Sequence, residues 1–459
     1  MSYMLPAHDN DEDNEEDDDE DEREEGDEED EEETIDSESP DLWVLDDGMF
    51  GGLLSKCFQT PGEGIAFAYY FKYLSGLIPA YDGIQNPYRK LSTVALEYPV
   101  LLNTIISLAT EYMHWHGHIP AELALTRHDR ALASIREALN VSFTGTASSA
   151  PVVPGNDRLT YKQATLAAVL LQITRVIFSG GNEVDMHLKC ALYILQELDY
   201  IHRPTTSFIA RLLMQRFAIV DVVTSILRRR RPHLPPTSWI FKPQETLDST
   251  EPSFREMTGC PQPIFGYLAR ACNLAVDVAE DVNNMEVLEQ AFRLERDLHA
   301  YALAQDATPT TVEGKRGSGS TADASLTTLN ECYRWCVHLL IQRRVYLEPT
   351  FSRRVQQTAR TLFRLMASIP VGSGPDSSLP LLLNLVAREA VREEDRAWVR
   401  ERNQQMEGVY PDSTRDGFIA MCEKMWRRVD ECMEVGGVML KRTEEALELL
   451  EQEAALFMF

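Results

Sequence analysis

The chain has 459 residues, of which 73 are Asp or Glu and 44 are Lys or Arg, so its formal net charge is −29. Residues 9–38 hold 23 of the acidic residues and one basic residue, Arg23, and the rest of the chain carries a net charge of about −7. A body of that charge lacks the clustered Lys and Arg with which an autonomous nucleic-acid-binding domain neutralises phosphates.

Three further features exclude whole classes of protein. The N-terminus has no basic region followed by an apolar stretch, which a secretory signal requires. The longest apolar run, residues 164–173, falls short of the roughly 18 residues that span a bilayer. The eight cysteines are scattered through apolar surroundings, as is typical of reduced, buried cysteines. We therefore expect a nuclear or cytoplasmic protein that has no contact with membranes.

Residues 1–58 form an acidic tail with an apolar cluster behind it. Like-charge repulsion and the lack of apolar residues predict disorder in residues 9–38. A flexible acidic segment that ends in bulky apolar residues is typical of segments that fold on a partner, as transcriptional activation segments do. A plain solubility tail and an acidic histone-binding tail are the alternatives. The candidate activation residues are Leu42, Trp43, Leu45, Met49 and Phe50.

The pattern behind the tail is helical, and no segment alternates with the two-residue period of a strand. Residues 142–156 and 232–261 are predicted to be irregular, and about 306–324 to be a disordered linker rich in Thr, Gly and Ser. The predicted helices are residues 65–77, 99–113, 121–139, 161–178, 187–198, 207–227, 264–280, 286–304, 326–346, 353–367, 379–407, 414–434 and 441–456. The fold class is therefore all-α, with residues 59–459 forming a multi-helix bundle or irregular α-array.

The sequence does not predict an enzyme. It lacks a P-loop motif, a strand-linked G-x-G-x-x-G, an H-E-x-x-H pair and a G-x-S-x-G elbow. His114, His116 and His118 are the best local metal-like cluster, but they follow a helix end without an acidic or Cys neighbour, which favours a partly packed loop. Cys332 and Cys336 share a helix face among Tyr333, Trp335 and Leu339, and core packing is the favoured interpretation. We predict neither a catalytic nor a metal site.

One basic run, Arg228, Arg229, Arg230 and Arg231, follows an apolar helix and precedes Pro232. Basic residues at a helix C-terminus complement the helix dipole, which is one interpretation. A nuclear import signal, or a site to which the acidic tail binds, is the other. The residues alone leave both interpretations open.

A series of short motifs runs in a fixed order from residue 69 to residue 428. The motifs are Tyr69-Tyr70, Asn86-Pro87-Tyr88-Arg89-Lys90-Leu91, Ala95-Leu96, Pro99-Val100-Leu101-Leu102, Leu166-Ala167-Ala168-Val169-Leu170-Leu171, Gly180-Gly181, His187-Leu188, Ala191, Arg216-Phe217-Ala218-Ile219-Val220-Asp221-Val222, Gly259-Cys260-Pro261, Glu389-Ala390, Asp395-Arg396 and Trp426-Arg427-Arg428. In order and spacing, the series resembles the regulatory domain of fungal zinc-cluster (Zn2Cys6-type) transcription factors. It is the second of two fungal-specific transcription factor domain families, and the resemblance covers roughly residues 60–459.

The resemblance implies a helical regulatory module, nuclear residence, control of RNA polymerase II genes and DNA binding through an N-terminal six-cysteine, two-zinc cluster. Such a cluster needs paired C-x-x-C motifs, and this sequence has none; its first cysteine is Cys57. We therefore expect no cofactor in this chain. DNA contact is expected only through a partner or through a cluster upstream of Met1.

The leading hypothesis is a nuclear transcription regulator whose acidic segment recruits a coactivator or the general machinery. Its helical body would sense a ligand or form a homodimer. The alternative is a ligand-sensing or scaffold protein without direct DNA binding, for which an apolar small molecule is the expected ligand. An α-helical enzyme and an acidic-tailed histone-binding protein rank below both.

Overall fold

A computed structural model describes residues 57–83, 86–143, 160–178, 183–202, 207–240, 253–307, 321–411 and 414–434. Within these ranges every regular element is helical and there is no strand, which confirms the predicted all-α class. No helix in the described ranges is long and apolar enough to cross a membrane. The α-helices are α1 (Pro61–Tyr69), α2 (Ser75–Leu77), α3 (Pro87–Ala95), α4 (Pro99–Trp115), α5 (Ala121–Phe143), α6 (Tyr161–Phe178), α7 (Val184–Glu197), α8 (Phe208–Arg228), α9 (Phe254–Thr258), α10 (Gln262–Glu280), α11 (Met285–Ala307), α12 (Thr321–Arg344), α13 (Arg353–Ala367), α14 (Gly374–Ser377), α15 (Pro380–Ala387), α16 (Glu393–Val409) and α17 (Arg415–Glu434).

Helix α4 is the central helix of the N-terminal half of the helical body, in which α1, α3, α5 and α6 surround it. Pro99 occupies its first turn, where the missing N–H costs nothing because that N–H would have no partner inside the helix. Almost every residue from Val100 to Met113 is buried, since these four helices pack around α4. The helix carries two apolar stripes, residues 101, 105, 108 and 112 and residues 102, 106, 109 and 113, and both are covered by neighbouring helices.

Helix α12 has the corresponding place in the second half. It packs against α10, α11, α13, α14 and α15. Helix α8 joins the halves, because it contacts α6 and α7 on one side and α10 on the other. Phe217 and Ile226 of α8 are fully buried. The two halves therefore share one apolar core.

The predicted helix over residues 379–407 is wrong, because two helices, α15 and α16, stand in its place. Side chains satisfy the backbone carbonyls that the break exposes: Arg396 Nε donates to the carbonyl oxygen of Ala390 at 3.1 Å, and Gln356 Nε2 donates to that of Glu389 at 2.9 Å. Three acidic residues, 393–395, fill the first turn of α16, where they complement the positive end of the helix dipole. A continuous helical pattern hides this kind of break.

A short helix, α9, lies inside the stretch 232–261 that the sequence predicts to be irregular. It begins with a capping box, in which the Glu256 N–H donates to Ser253 Oγ at 3.1 Å and the Ser253 N–H donates to Glu256 Oε2 at 2.6 Å. Its C-cap residue is Gly259, whose φ is +71°. A Cβ at Gly259 would lie 2.1 Å from Leu329 Cδ2, so only glycine fits this position.

A buried polar network ties α4, α5 and α6 together. Arg175 of α6 donates to Glu111 of α4 at 2.6 Å, and both side chains are less than a tenth exposed. One turn earlier on α6, Gln172 Nε2 lies 3.1 Å from Nδ1 of His128 on α5. Burial, followed by the positive charge of Arg175, lowers the pKa of His128 to about 4. His128 is therefore neutral in the folded protein at physiological pH.

This shift makes stability depend on pH. In the unfolded chain a histidine takes up a proton near pH 6.5, whereas folded His128 does so only near pH 4. Between these values the unfolded state binds more protons, so stability falls as the pH falls. We expect His128 to account for a loss of about 2 kcal/mol between pH 7.5 and pH 4.5, since a shift of one unit is worth about 1.4 kcal/mol. His128→Gln should remove that part of the loss, as measured by urea unfolding at both pH values.

His299, which is exposed on α11, provides the control for this prediction. His299→Gln should leave the pH dependence of the unfolding free energy as it is in the wild-type protein. An equal loss between pH 7.5 and pH 4.5 in His128→Gln and wild-type protein would contradict the assignment.

Candidate functional site

The predicted activation residues, Leu42, Trp43, Leu45, Met49 and Phe50, lie outside the described residues, so their role stays a prediction. The domain bounds 1–58 and 59–459 likewise stay predictions. Helix α12 begins at Thr321, within the predicted linker 306–324, and residues 308–320 lie outside the described ranges.

The arginine run lies where α8 ends. Arg228 is the last residue of α8 and forms an ion pair with Asp185 of α7. Arg230 Nη1 lies 3.3 Å from Oδ1 of Asp221, a carboxylate that is only 1 % exposed. The Asp221 carboxylate also accepts the backbone N–H of His233 at 2.6 Å, so it fixes the chain that leaves the helix.

Arg231 extends this set of ion pairs to α10. Its Nη1 and Nη2 donate to Asp277 at 2.6 Å and to Glu280 at 2.8 Å, and the hydrogen bond to Asp277 is the largest cause that raises the pKa of Arg231. The run therefore joins α7, α8 and α10, which is a structural role at a helix end. Its function as an import signal or as a binding site for the tail stays a prediction.

The histidines after α4 form a half-buried aromatic group. The rings of His116 and His118 stack at 5.9 Å, and His116 also lies 5.2 Å from the ring of Tyr112. Burial and the neighbouring His118 lower the pKa of His116. No group of three or more His, Cys, Asp or Glu side chains in the described ranges could hold a metal ion.

Cys332 and Cys336 lie in the core of α12, at 0 % and 1 % exposure. Burial raises the pKa of Cys336 to about 12. A thiol with such a pKa is protonated and unreactive at physiological pH. This geometry agrees with the core-packing interpretation of the pair.

A cavity of about 70 Å³ lies where the two halves of the body meet. It has room for about five water molecules, at roughly 10–15 Å³ each. Most of its wall is apolar, and the residues come from almost every part of the fold, from a π-helical turn, Tyr70–Leu74, that precedes α2 to the start of α17. The lining residues are Leu74, Leu77, Ile78, Leu108, Tyr112, Thr174, Arg216, Ile219, Val223, Met257, Thr258, Phe265, Tyr333, Ser377, Ser378, Pro380, Met406, Tyr410 and Arg415.

Two guanidinium groups line this otherwise apolar cavity. Arg216 Nη2 donates to Thr174 Oγ1 at 2.7 Å, and Arg415 Nε donates to the carbonyl oxygen of Tyr410 at 2.8 Å. These hydrogen bonds orient the two guanidinium groups at the cavity wall. An apolar space with fixed positive charge at its wall suits a small ligand that has an anionic group on an apolar body.

Beside this wall lies a deeply buried ion pair of the C-terminal half. Asp376 of α14 is fully buried, and its Oδ1 accepts a hydrogen bond from Arg402 Nη2 of α16 at 2.6 Å. Its Oδ2 accepts the Gly372 N–H at 2.8 Å. Burial raises the pKa of Asp376, and the charges of Arg402 and Arg415 act against that shift. The pair fixes α14 and α16, which carry Ser377 and Met406 of the cavity wall.

Sequence reasoning predicted an apolar small-molecule ligand but located no site for it. The residues that line the cavity are spread from Leu74 to Arg415 and follow no local motif. Arg216 was at most a weak signal, because Arg211 and Asp221 are also charged residues inside the apolar helix α8.

A protein-family model for the fungal specific transcription factor domain matches residues 66–436. The match covers most of the chain and includes every residue of the cavity wall. The chain therefore belongs to this family of transcription factor domains, which confirms the resemblance found in its motifs. No significant match was found among curated proteins or among solved structures.

We expect Asp376→Ala to reduce the free energy of unfolding by about 3–5 kcal/mol, because it leaves the charge of Arg402 buried without its carboxylate. Chemical denaturation measures this loss. The matched control is Glu289→Ala, which removes an exposed partner of Arg293 and should cost less than about 1 kcal/mol. Similar losses for the two variants would show that the buried pair does not stabilise this region.

Proposed function

We propose that the protein is a nuclear regulator of genes transcribed by RNA polymerase II, and that its helical body is the regulatory module. The observation that carries this proposal is the family match over residues 66–436, which supports a role in transcription regulation. The all-α body agrees with such a module. No catalytic role is part of the proposal, because the family is one of transcription factor domains.

The acidic segment is the proposed recruiting element. The apolar side chains of Trp43 and Leu45 would bind a groove of a coactivator, while the carboxylates of residues 9–38 speed the encounter with a basic surface. The chain has no C-x-x-C pair, so the proposed contact with DNA goes through a partner or through a zinc cluster outside this sequence.

Fusion of residues 1–60 to a heterologous DNA-binding domain tests the recruiting role. The fusion should activate a reporter gene, and the double substitution of Trp43→Ala and Leu45→Ala should reduce activation by at least about tenfold, since two large apolar contacts are lost. Ile35→Ala, inside the acidic tract, is the matched control and should leave activation unchanged. A wild-type fusion that expresses well and fails to activate would contradict the proposal.

A second candidate function is ligand sensing by the cavity. It rests on one observation, namely that the cavity joins both halves of the body and presents Arg216 and Arg415 at an apolar wall. A ligand there would contact α8 and α17 at the same time. Its binding would therefore stabilise the arrangement of the two halves.

Short-chain carboxylates test the second candidate. Hexanoate should raise the Tm of the protein by at least about 2 °C at saturation, whereas hexanol, its neutral counterpart, should raise it less. Arg216→Gln should remove the preference for the anion. An equal response of wild-type protein and Arg216→Gln to both compounds, or no response at all, would overturn the proposal of an anionic ligand.

A further inference from the structure

The outward face of α13 carries a stripe of three arginines. Arg353, Arg360 and Arg364 are all exposed, and they are separated by seven and four residues. Since residues at these spacings lie above one another on a helix, the three guanidinium groups share one face. The helix contains no Asp or Glu. We call these three residues the arginine stripe.

The stripe has no carboxylate partner within the part of the chain that the structure describes. No ion pair joins Arg353, Arg360 or Arg364 to another of the residues that the structure describes. Arg354, on the same helix but a quarter-turn away, shows the contrast: it pairs with Glu348 at 2.8 Å and with Glu295 at 3.1 Å.

The rest of α13 is held firmly in place. Its inner face buries Val355, Leu362 and Met366. Along one side, the ring of Phe363 packs edge-on against Trp398 of α16, with 5.6 Å between the ring centroids. Trp398 is only partly buried, so it offers an apolar surface beside the stripe.

The last described helix of the chain, α17, contacts α16, the helix that also carries Trp398. Asp430, one turn before the end of α17, accepts two hydrogen bonds from Arg396 of α16, at 2.7 and 2.8 Å. Arg396 lies two residues before Trp398, which in turn contacts α13. Residues 435–440, when extended, span up to about 20 Å. Because α17 and α13 both contact α16, a linker of this length makes the stripe a candidate binding surface for the segment that follows.

The sequence of residues 441–459 complements the stripe. Glu444, Glu448 and Glu451 are spaced by four and three residues, so on a helix they form an acidic stripe. Leu447 and Leu450 lie on the adjacent face at the same helical period. A helix with this pattern has one face for arginines and a neighbouring face for an apolar surface.

We propose that residues 441–459, which lie outside the described part of the structure, bind along α13 as an amphipathic helix. The three glutamates pair with the arginine stripe, and the leucines contact Trp398. Exposed ion pairs are individually weak and are screened by salt. The contact is therefore reversible, and it controls whether the acidic and apolar C-terminal segment is covered or available to a partner.

Cleavage of the full chain after Lys441 by a lysine-specific protease tests the proposal. A bound segment protects this site, so release of residues 442–459, followed by mass spectrometry, reports the free fraction. The charge reversals Arg360→Glu and Arg364→Glu together should increase the release rate at least threefold, in line with the loss of two exposed ion pairs. The reversals Glu448→Arg and Glu451→Arg should do the same, and they create no new lysine site.

The decisive variant carries all four reversals. In this variant glutamates at 360 and 364 face arginines at 448 and 451, so each proposed ion pair is formed again with its charges exchanged. Its release rate should return to within about twofold of wild type, if the pairs are rebuilt in the same geometry. Arg136→Glu, an exposed arginine on α5, is the matched control and should not change the rate. Thermal unfolding of each variant verifies that the body is folded.

Two outcomes would overturn the proposal. One is a release rate that is the same in wild type and in the Arg360→Glu, Arg364→Glu variant. The other is a faster rate in both double variants that the fourfold variant does not reverse. A change only in oligomeric state or in retained nucleic acid, with release unaltered, would assign the stripe to a second copy or to nucleic acid instead.

Discussion

The buried ion pair between Asp376 and Arg402 sets a constraint on which the C-terminal half depends. Neither charge reaches solvent, so each needs the other in a fixed geometry, and a backbone N–H from Gly372 completes the bonding of the carboxylate. The short helix α14 has only four residues, too few to be stable by itself. Its position follows from the pair, and with it the position of one side of the cavity.

Pairs between an arginine and a carboxylate also join neighbouring helices elsewhere in the fold. In this acidic chain, 35 of the 44 basic residues are Arg, whose planar guanidinium forms two parallel hydrogen bonds with a carboxylate. Arg396 joins α16 to α17 in this way, and Arg175 joins α6 to α4 through a single hydrogen bond to Glu111. Burial of apolar surface brings the helices together but does not fix their orientation. The ion pairs select one arrangement among many that would bury a similar apolar surface area.

Local pattern predicted the helices well and their connections poorly. The wide stripe of α4 was sufficient to define that helix, because burial on all sides leaves a sequence signature. The break between α15 and α16 has no such signature, since Gln356, far away in the chain, bonds the freed carbonyl of Glu389. The cavity is also invisible to local sequence patterns. Arg216 of α8 and Arg415 of α17 are far apart in the chain, and only the packing of the helices brings them to one cavity.

The positions of the carboxylates explain why the basic run has a structural role whereas the arginine stripe is a proposed binding surface. Arg228 and Arg231 are conspicuous in sequence, yet carboxylates of α7 and α10 already engage them, so an incoming acidic segment would have to displace those partners. Arg360 and Arg364 are separated along the chain and form no motif. An acidic segment reaches them without breaking a described ion pair. An arginine that is already paired with a carboxylate holds helices together, whereas an arginine without a described ion pair can bind an acidic segment. The sequence does not show which of the two an arginine is.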